Sequence, residues 1–193
     1  MTEPTTTTKP SYLGLLNAIA VGEAAAERYL TCWAEVTPSD EVRQVLRTIA
    51  LREGEHAKAF EKRICELGFD VRPRDDDPSR AEIAASTSCS DREKFEALGL
   101  GQDRGDGPDV FASMFADRDI DIQTGALLGR YIAEERDSER MFRACYRQLV
   151  DADETSGGET SGGEASGTDV ALGDVVGRLE RIESTLEQLL AAR

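Results

Sequence analysis

The only histidine of this 193-residue chain, His56, follows Glu53 by three positions. Residues three apart lie on one face of an α-helix, so the carboxylate and the imidazole would point the same way in a helical segment. Such a Glu-x-x-His pair can bind a metal ion in the interior of a helix bundle. Glu53 and His56 are therefore the first candidates for a functional site.

The pair lies in a segment whose apolar residues recur at helical spacing. We predict a helix that begins at Ser39 or Asp40 and ends at Gly68, with acidic residues in its first turn. An earlier helix is predicted over Ser11 to Val36, and Pro38 stops it. The short link between the two helices predicts an antiparallel hairpin.

A third long helix is predicted from Asp119 or Asp121 to about Val150. Between Phe69 and this helix, the pattern breaks into short apolar patches separated by glycine-rich turns. We expect two or three short helices there. The whole segment of residues 11–150 is long enough to bury the interior of a four-helix bundle.

The second and the last long helices are similar in sequence. A shift of 82 positions superposes Glu53 on Glu135 and Phe60 on Phe142. This match suggests an internal duplication. Glu135 and, on the first helix, Glu23 also fall on the apolar stripes of their helices, so both carboxylates are predicted to point into the core.

Further residues on the first two helices strengthen the pattern. They are Gly22-Glu23 with Tyr29 on the first helix, and Glu53-x-x-His56-Ala57 with a following aromatic residue and a Leu-Gly end on the second. With these features the chain resembles the ferritin-like superfamily, in the style of bacterioferritin and rubrerythrin. The likeness covers residues 11–68 well and 119–150 moderately. It implies an all-α, ferritin-like four-helix bundle with a broken third-helix region.

The resemblance also implies a dinuclear iron or manganese centre, held by two Glu-x-x-His helices and two helices with a single glutamate. The residues that match this metal ligand set are Glu23, Glu53, His56 and Glu135. Ser138 stands where the second histidine belongs, and residues 79–98 offer no clear third-helix glutamate. The loss of an imidazole and a carboxylate leaves an open or single-ion site for Fe or Mn.

Several carboxylates that point into one core are costly unless they are protonated, paired or bound to a cation. We therefore favour metal binding. The alternative is a vestigial site in which Arg52 or Arg130 pairs with the buried acids. His56 alone would also suit a hydrogen-bonded core residue.

The other acidic residues near the predicted site are Glu93, Glu96, Glu134, Asp137 and Glu139. Surface roles suit these residues better than metal binding. Glu93 follows Ser90 by three positions, which is typical of a capping box at the start of a helix. The acids from position 134 onward alternate with arginines, as in a surface lattice of ion pairs.

The chain is strongly acidic, with 38 Asp and Glu residues against 23 Lys and Arg residues and a formal charge of −15. No nucleic acid partner is expected, because phosphate partners require clustered cations. The acidity favours a halophilic origin, where salt screens self-repulsion; the alternative is an ordinary acidic bacterial protein rich in arginine. No apolar run has the length of a membrane span or a signal peptide, so we expect a cytoplasmic protein with no membrane partner.

The four cysteines are Cys32, Cys65, Cys89 and Cys145. No two of them form a Cys-x-x-Cys pair, which excludes a rubredoxin-type iron site and a thioredoxin motif. We expect buried free thiols in a reducing compartment.

The ends of the chain differ in composition from the predicted bundle. Residues 1–10 are expected to be a disordered N-terminus, and residues 151–169 a flexible acidic Gly/Ser/Thr linker. Residues 170–193 predict a C-terminal amphipathic helix whose apolar residues, from Leu172 to Leu189, alternate at spacings of three and four. This stripe favours a coiled coil, which predicts a homo-oligomer or a partner helix bound through residues 172–189.

Two functions agree with these features. The first is a non-haem iron or manganese protein that reacts with oxygen or peroxide in a stress or metal-handling role. The second is a non-catalytic ferritin-like scaffold or adaptor with a vestigial metal site, which assembles or docks through its C-terminal helix. The sequence singles out no catalytic residue beyond the four candidate ligands.

Removal of residues 170–193 should leave the bundle folded but lower the oligomer size. The alternative is that this helix folds back onto its own bundle, which the linker permits. We favour self-association, because a strict a/d stripe is narrower than the apolar face of a helix that docks on a core. Sedimentation velocity of the full-length and truncated chains measures the effect. An unchanged sedimentation coefficient, after correction for mass, would show that the tail does not drive assembly.

Overall fold

A computed structural model describes residues 8–74, 78–102 and 111–156. Every regular element in these ranges is helical, which confirms the all-α prediction. The elements are α1 (Leu13–Val36), α2 (Asp40–Glu66), α3 (Pro78–Ala85), α4 (Asp91–Ala97), a 3-10 helix (Ala112–Phe115) and α5 (Ile122–Ser156). The predicted C-terminal helix, most of the linker and most of the N-terminal segment lie outside the described residues.

The hairpin of α1 and α2 forms as predicted. Thr37 leaves the helical conformation before Pro38, and Ser39 then caps α2 by accepting a hydrogen bond from the backbone N–H of Val42. The other end of α2 is closed by Gly68, whose φ of 84° is accessible to glycine at little cost.

Helix α5 begins where the side chain of Asp121 replaces the missing backbone partners. Asp121 Oδ1 accepts hydrogen bonds from the backbone N–H groups of Gln123 and Thr124, at 2.9 Å and 3.0 Å. The helix continues to Ser156, so the prediction that the linker starts at residue 151 was wrong. The extra turn contains no glycine, and Arg92 of α4 forms an ion pair with Asp153 at 3.2 Å.

The long helices pack in a fixed order. Helix α2 lies between α1 and α5, while α3 packs on α1, α4 packs on α5, and α3 contacts α4. The two short helices therefore close the side of the bundle opposite to α2. This arrangement agrees with the predicted short helices in the middle of the chain.

Two apolar clusters fill the interior. The first joins the second half of α1, the first half of α2, the short helices and the second half of α5; Trp33, Leu46, Phe95 and Phe142 are among its members. The second joins the first half of α1, the second half of α2 and the first half of α5, with Leu16, Phe60, Leu128 and Tyr131. It follows that α1 and α5 run parallel and α2 runs antiparallel to both.

Buried polar contacts attach α4 to the hairpin. Asp91, at the start of α4, accepts hydrogen bonds from Trp33 Nε1 at 2.7 Å and from the hydroxyl of Thr37. Lys94 is 1% exposed and donates from Nζ to the carbonyl of Ala84 at the end of α3, at 2.9 Å. These contacts satisfy polar groups that would be costly to bury alone.

The cysteines are less buried than predicted. Cys145 is buried in the first cluster and Cys32 is half-buried, but Cys65 and Cys89 are exposed. Cys65 lies on α2 outside its apolar stripe, and Cys89 lies in the turn before α4. All four are free thiols.

None of the helices in the described part of the chain combines the length and the hydrophobicity needed to cross a bilayer.

Asp121 joins three elements and should set the acid stability of the bundle. It accepts hydrogen bonds from Tyr12 at 2.7 Å and from Arg63 of α2 at 2.8 Å. Burial raises the pKa of Asp121, but the hydrogen bonds from Tyr12 and Thr124 and the pairing with Arg63 outweigh burial and bring the pKa well below its usual value. The charged form is therefore favoured in the folded state.

We expect Asp121→Ala to lower the free energy of unfolding at neutral pH by about 1–2 kcal/mol, since the helix cap is lost. Asp121→Asn keeps a capping oxygen and should cost less. The carboxylate stabilises the fold above its unfolded pKa of about 3.9 and loses this effect as the pH falls toward its folded pKa. Wild type should therefore lose more stability than Asp121→Asn on acidification. Urea unfolding at several pH values tests this, and parallel pH profiles would contradict it.

Candidate metal centre

The four predicted ligands come from the middle of the three long helices. Glu23 lies on α1, Glu53 and His56 lie on α2, and Glu135 lies on α5, each at the level where the two apolar clusters meet. Glu23, Glu53 and His56 are only 7%, 5% and 3% exposed. The apolar residues on both sides hold the helices in the rotation that turns these polar groups inward.

The structure brings all four side chains together. One ligand atom from each of Glu23, Glu53, His56 and Glu135 can be chosen so that all lie within 4.8 Å of one another. His56 Nδ1 faces the group, at 3.9 Å from Glu23 Oε2, 4.0 Å from Glu53 Oε2 and 3.3 Å from Glu135 Oε1.

Glu23 Oε2 and His56 Nδ1 are buried, and neither atom has a hydrogen-bond partner in the described part of the chain. Buried polar atoms in native proteins are nearly always satisfied, so two such atoms facing the same space need an explanation. Three carboxylates and one imidazole are all metal-ligating groups, so the residues of this cluster could hold a metal ion.

The other oxygen of Glu23 is held by Tyr131 of α5. The Tyr131 hydroxyl donates to Glu23 Oε1 at 2.9 Å, and this contact is buried. The ring packs edge-on against His56 and Phe60, with ring centroids 5.0 Å and 5.2 Å apart. Burial and the nearby carboxylates raise the pKa of Tyr131 well above its usual value, so the hydroxyl keeps its proton.

The other nitrogen of His56 contacts Glu134, a residue that the sequence analysis assigned to the surface. His56 Nε2 lies 2.7 Å from Glu134 Oε2, and the Glu134 side chain is 29% exposed. A hydrogen bond at Nε2 leaves Nδ1 facing the three carboxylates, which is the arrangement in which a second residue orients a histidine ligand. Glu134 does form a partly exposed ion pair, with Arg130 at 2.9 Å, but its contact with His56 was not predicted. The only signal in the sequence was its position next to Glu135.

The charges of the cluster depend on one another. Burial lowers the pKa of His56, but the carboxylates of Glu135, Glu23 and Glu134 outweigh burial and raise it to about 10. Burial likewise raises the pKa of Glu23, yet contacts with His56 and with the Tyr131 hydroxyl leave it below the usual value. In the absence of a bound cation, the imidazolium is thus the positive charge that faces the buried acids.

Arg52 and Arg130, the arginines that would neutralise the buried acids in a vestigial site, pair instead with acidic residues outside the four-residue cluster. Arg52 Nη2 pairs with Asp137 at 3.0 Å, while Arg130 pairs with Glu134 at 2.9 Å and with Glu55 at 3.7 Å. Asp137, Glu134 and Glu55 are all at least partly exposed.

The remaining acidic candidates lie away from the cluster. Glu93 forms the predicted capping box with Ser90, which confirms its structural role. Glu96 accepts hydrogen bonds from Arg92 at 2.9 Å and from Tyr146 at 3.0 Å.

Gly54 of α2 leaves room for the carboxylate of Glu27 on α1. Gly54 follows Glu53 on α2 and is buried. A Cβ at this position would lie 2.5 Å from Glu27 Oε1 of α1. A side chain at position 54 would therefore displace Glu27, which lies one turn from Glu23.

Comparisons of this chain with protein-family models, with curated proteins and with solved structures found no match. The functional argument therefore depends on the residues of the cluster.

We expect Tyr131→Phe to destabilise the metal-free protein by about 1–3 kcal/mol, because Glu23 Oε1 loses its buried donor. Tyr146→Phe is the matched control, since Tyr146 lies on the same helix and its hydroxyl bonds to Glu96 in an exposed position. The control should change stability by less than about 0.5 kcal/mol. Urea unfolding of both variants measures the difference, and equal losses would contradict the role given to Tyr131.

Proposed function

We propose that this protein is a ferritin-like metal protein that binds iron or manganese through Glu23, Glu53, His56 and Glu135. The observation that carries the proposal is the buried cluster itself, in which Glu23 Oε2 and His56 Nδ1 face the same space without a hydrogen-bond partner. A cation at this place would satisfy both atoms. It would also neutralise carboxylates that are otherwise costly to bury.

The ligand chemistry supports iron or manganese over softer metals. The four side chains offer carboxylate oxygens and one imidazole, and the cluster contains no thiolate. Sites of this composition suit cations that accept more than four ligands, so a small molecule could complete the coordination. When bound, such an ion would supply redox chemistry toward oxygen or peroxide, in a stress or metal-handling role.

The protein contributes the surroundings of the ion. Tyr131 holds one oxygen of Glu23, and Glu134 holds the outer nitrogen of His56. The apolar clusters above and below limit the access of water to the cluster. These contacts would keep the ligands in place before the ion binds, which lowers the cost of ordering them.

The arrangement of the helices also supports the ferritin-like interpretation. An antiparallel hairpin is followed by a long connection and a final long helix, and the candidate ligands project inward from the middle of these helices. Bundles with one long crossover connection and glutamate ligands on facing helices are typical of this superfamily.

A non-catalytic scaffold is the second candidate function. It is favoured by the position of His56, whose protonated ring faces Glu23, Glu135 and Glu134 and stabilises them without a metal. In this case the cluster would be a vestigial site, and the protein would act through the surface of its bundle and its C-terminal segment.

Metal analysis separates the two candidates. Protein purified without chelators should contain iron or manganese, and His56→Ala should bind the metal at least about tenfold more weakly, since even the loss of an outer-shell partner costs that much. Elemental analysis and titration with Mn²⁺ provide the measurements.

Glu55→Gln is the control, because Glu55 neighbours His56 on α2 and its side chain is 72% exposed. This variant should retain the affinity of wild type. Circular dichroism confirms that both variants are folded. The absence of metal from wild type, with no uptake on titration, would favour the scaffold.

A further inference from the structure

Helices α2 and α5 are related by a pseudo-twofold axis. This symmetry indicates how many metal ions the centre holds, an inference that rests on the proposed function. A shift of 82 positions superposes Leu46 on Leu128 and Phe60 on Phe142. In the structure Leu46 and Phe142 lie in the first apolar cluster, and Leu128 and Phe60 lie in the second. Matched residues thus fall at opposite ends of the bundle, as a twofold axis between two antiparallel helices requires.

The centre of the cluster keeps this symmetry. Glu53 and Glu135 are matched by the shift, and both contribute an oxygen to the same group of ligand atoms. A symmetric pair of helices with one inward glutamate each, and one histidine each, would supply ligands for two ions.

The symmetry fails on both sides of these glutamates. The shift superposes His56 on Ser138 and Arg52 on Glu134. On one side His56 Nε2 contacts Glu134 at 2.7 Å, and on the other side Arg52 Nη1 donates to Ser138 Oγ at 2.9 Å. The imidazole of His56 thus corresponds to the hydroxyl of Ser138, and the negative carboxylate of Glu134 corresponds to the positive guanidinium of Arg52.

The second half of the site is built to hold a guanidinium. Ser138 is 3% exposed and accepts a hydrogen bond from Arg52, which occupies one of the two lone pairs of the hydroxyl oxygen. Arg52 also donates to the carbonyl of Glu134 at 3.1 Å and pairs with Asp137 at 3.0 Å. These three contacts fix a permanent positive charge beside the position where a second ion would bind, and like charges in a partly buried site repel strongly.

We propose that the centre holds a single ion on the His56 side, and that Arg52 and Ser138 together close the second half of the site. The chain thus binds one ion, although its two symmetry-related helices have the arrangement of a two-ion site. Glu23, Glu53, His56 and Glu135 serve the one ion, and Arg52 supplies the positive charge on the other side.

The number of bound ions tests the proposal directly. Equilibrium dialysis of the full-length chain against Mn²⁺, followed by elemental analysis, should give one ion per chain at saturation. Two ions per chain would overturn the single-ion assignment but leave the metal site in place. No bound ion would overturn the proposed function itself.

Restoring the symmetry tests the role of Arg52. The double variant Arg52→Glu/Ser138→His reproduces the pair of His56 and Glu134 on the other side and should bind a second Mn²⁺. Ser138→His alone is the matched control and should remain at one ion, because the guanidinium is still present.

Uptake of two ions by the control, or of only one ion by the folded double variant, would overturn the role given to Arg52 and Ser138. Retention of the first ion reports that the bundle is folded around the site. If the double variant does not fold, Arg52→Gln/Ser138→His removes the positive charge without adding a negative one, and the same two results apply.

Discussion

The burial of carboxylates and a histidine in the middle of a helix bundle is the constraint on which the rest of this structure depends. Glu23, Glu53 and His56 lie almost entirely out of water, between two apolar clusters. Such groups destabilise a fold unless a proton, a neighbouring charge or a metal ion compensates them. The contacts around the cluster supply part of this compensation, through the hydroxyl of Tyr131 and the protonated ring of His56.

The apolar clusters convert this local requirement into a precise geometry. Phe60 and Tyr131 pack edge-to-face at one end of the bundle, and Trp33 and Phe95 do the same at the other end. Close packing at both ends resists rotation of the long helices, so the polar groups between them cannot turn out to solvent. Apolar packing at the two ends therefore adds to the polar contacts of Tyr131 and Glu134 in maintaining the cluster.

In the described residues, the short helices α3 and α4 take the place of a fourth long helix on the side opposite to α2. Two short helices fill this side, and they are held by buried polar contacts rather than by length. Asp91 binds Trp33 and Thr37 of the hairpin, and Lys94 ties α4 to the end of α3. A buried lysine and a buried aspartate are costly alone, so each must keep its partner for the short helices to stay in place. Burial accordingly lowers the pKa of Lys94.

The features that the sequence determined by itself are local ones. The spacing of apolar residues and the capping residues predicted α1 and α2 closely, because helix periodicity and the chemistry of Ser39 and Gly68 act over a few residues. The same periodicity placed Glu23 and Glu135 on inward faces, and the structure brings both to Glu53 and His56. In contrast, the end of α5 was predicted too early, since composition alone suggested a linker from residue 151.

Only the tertiary structure decided which neighbours these residues meet. Adjacent positions lie about 100° apart around a helix, so Glu134 and Glu135 cannot both be central on one face. The rotation of α5 against α2 places Glu134 on His56, and it places Ser138 on Arg52 rather than in the cluster with His56. That rotation is fixed by the packing of residues distant in sequence, and no pattern within a single helix records it. The sequence alone therefore showed that Ser138 replaces a second histidine, while the partners of Ser138 and His56, which are Arg52 and Glu134, appear only in the folded chain.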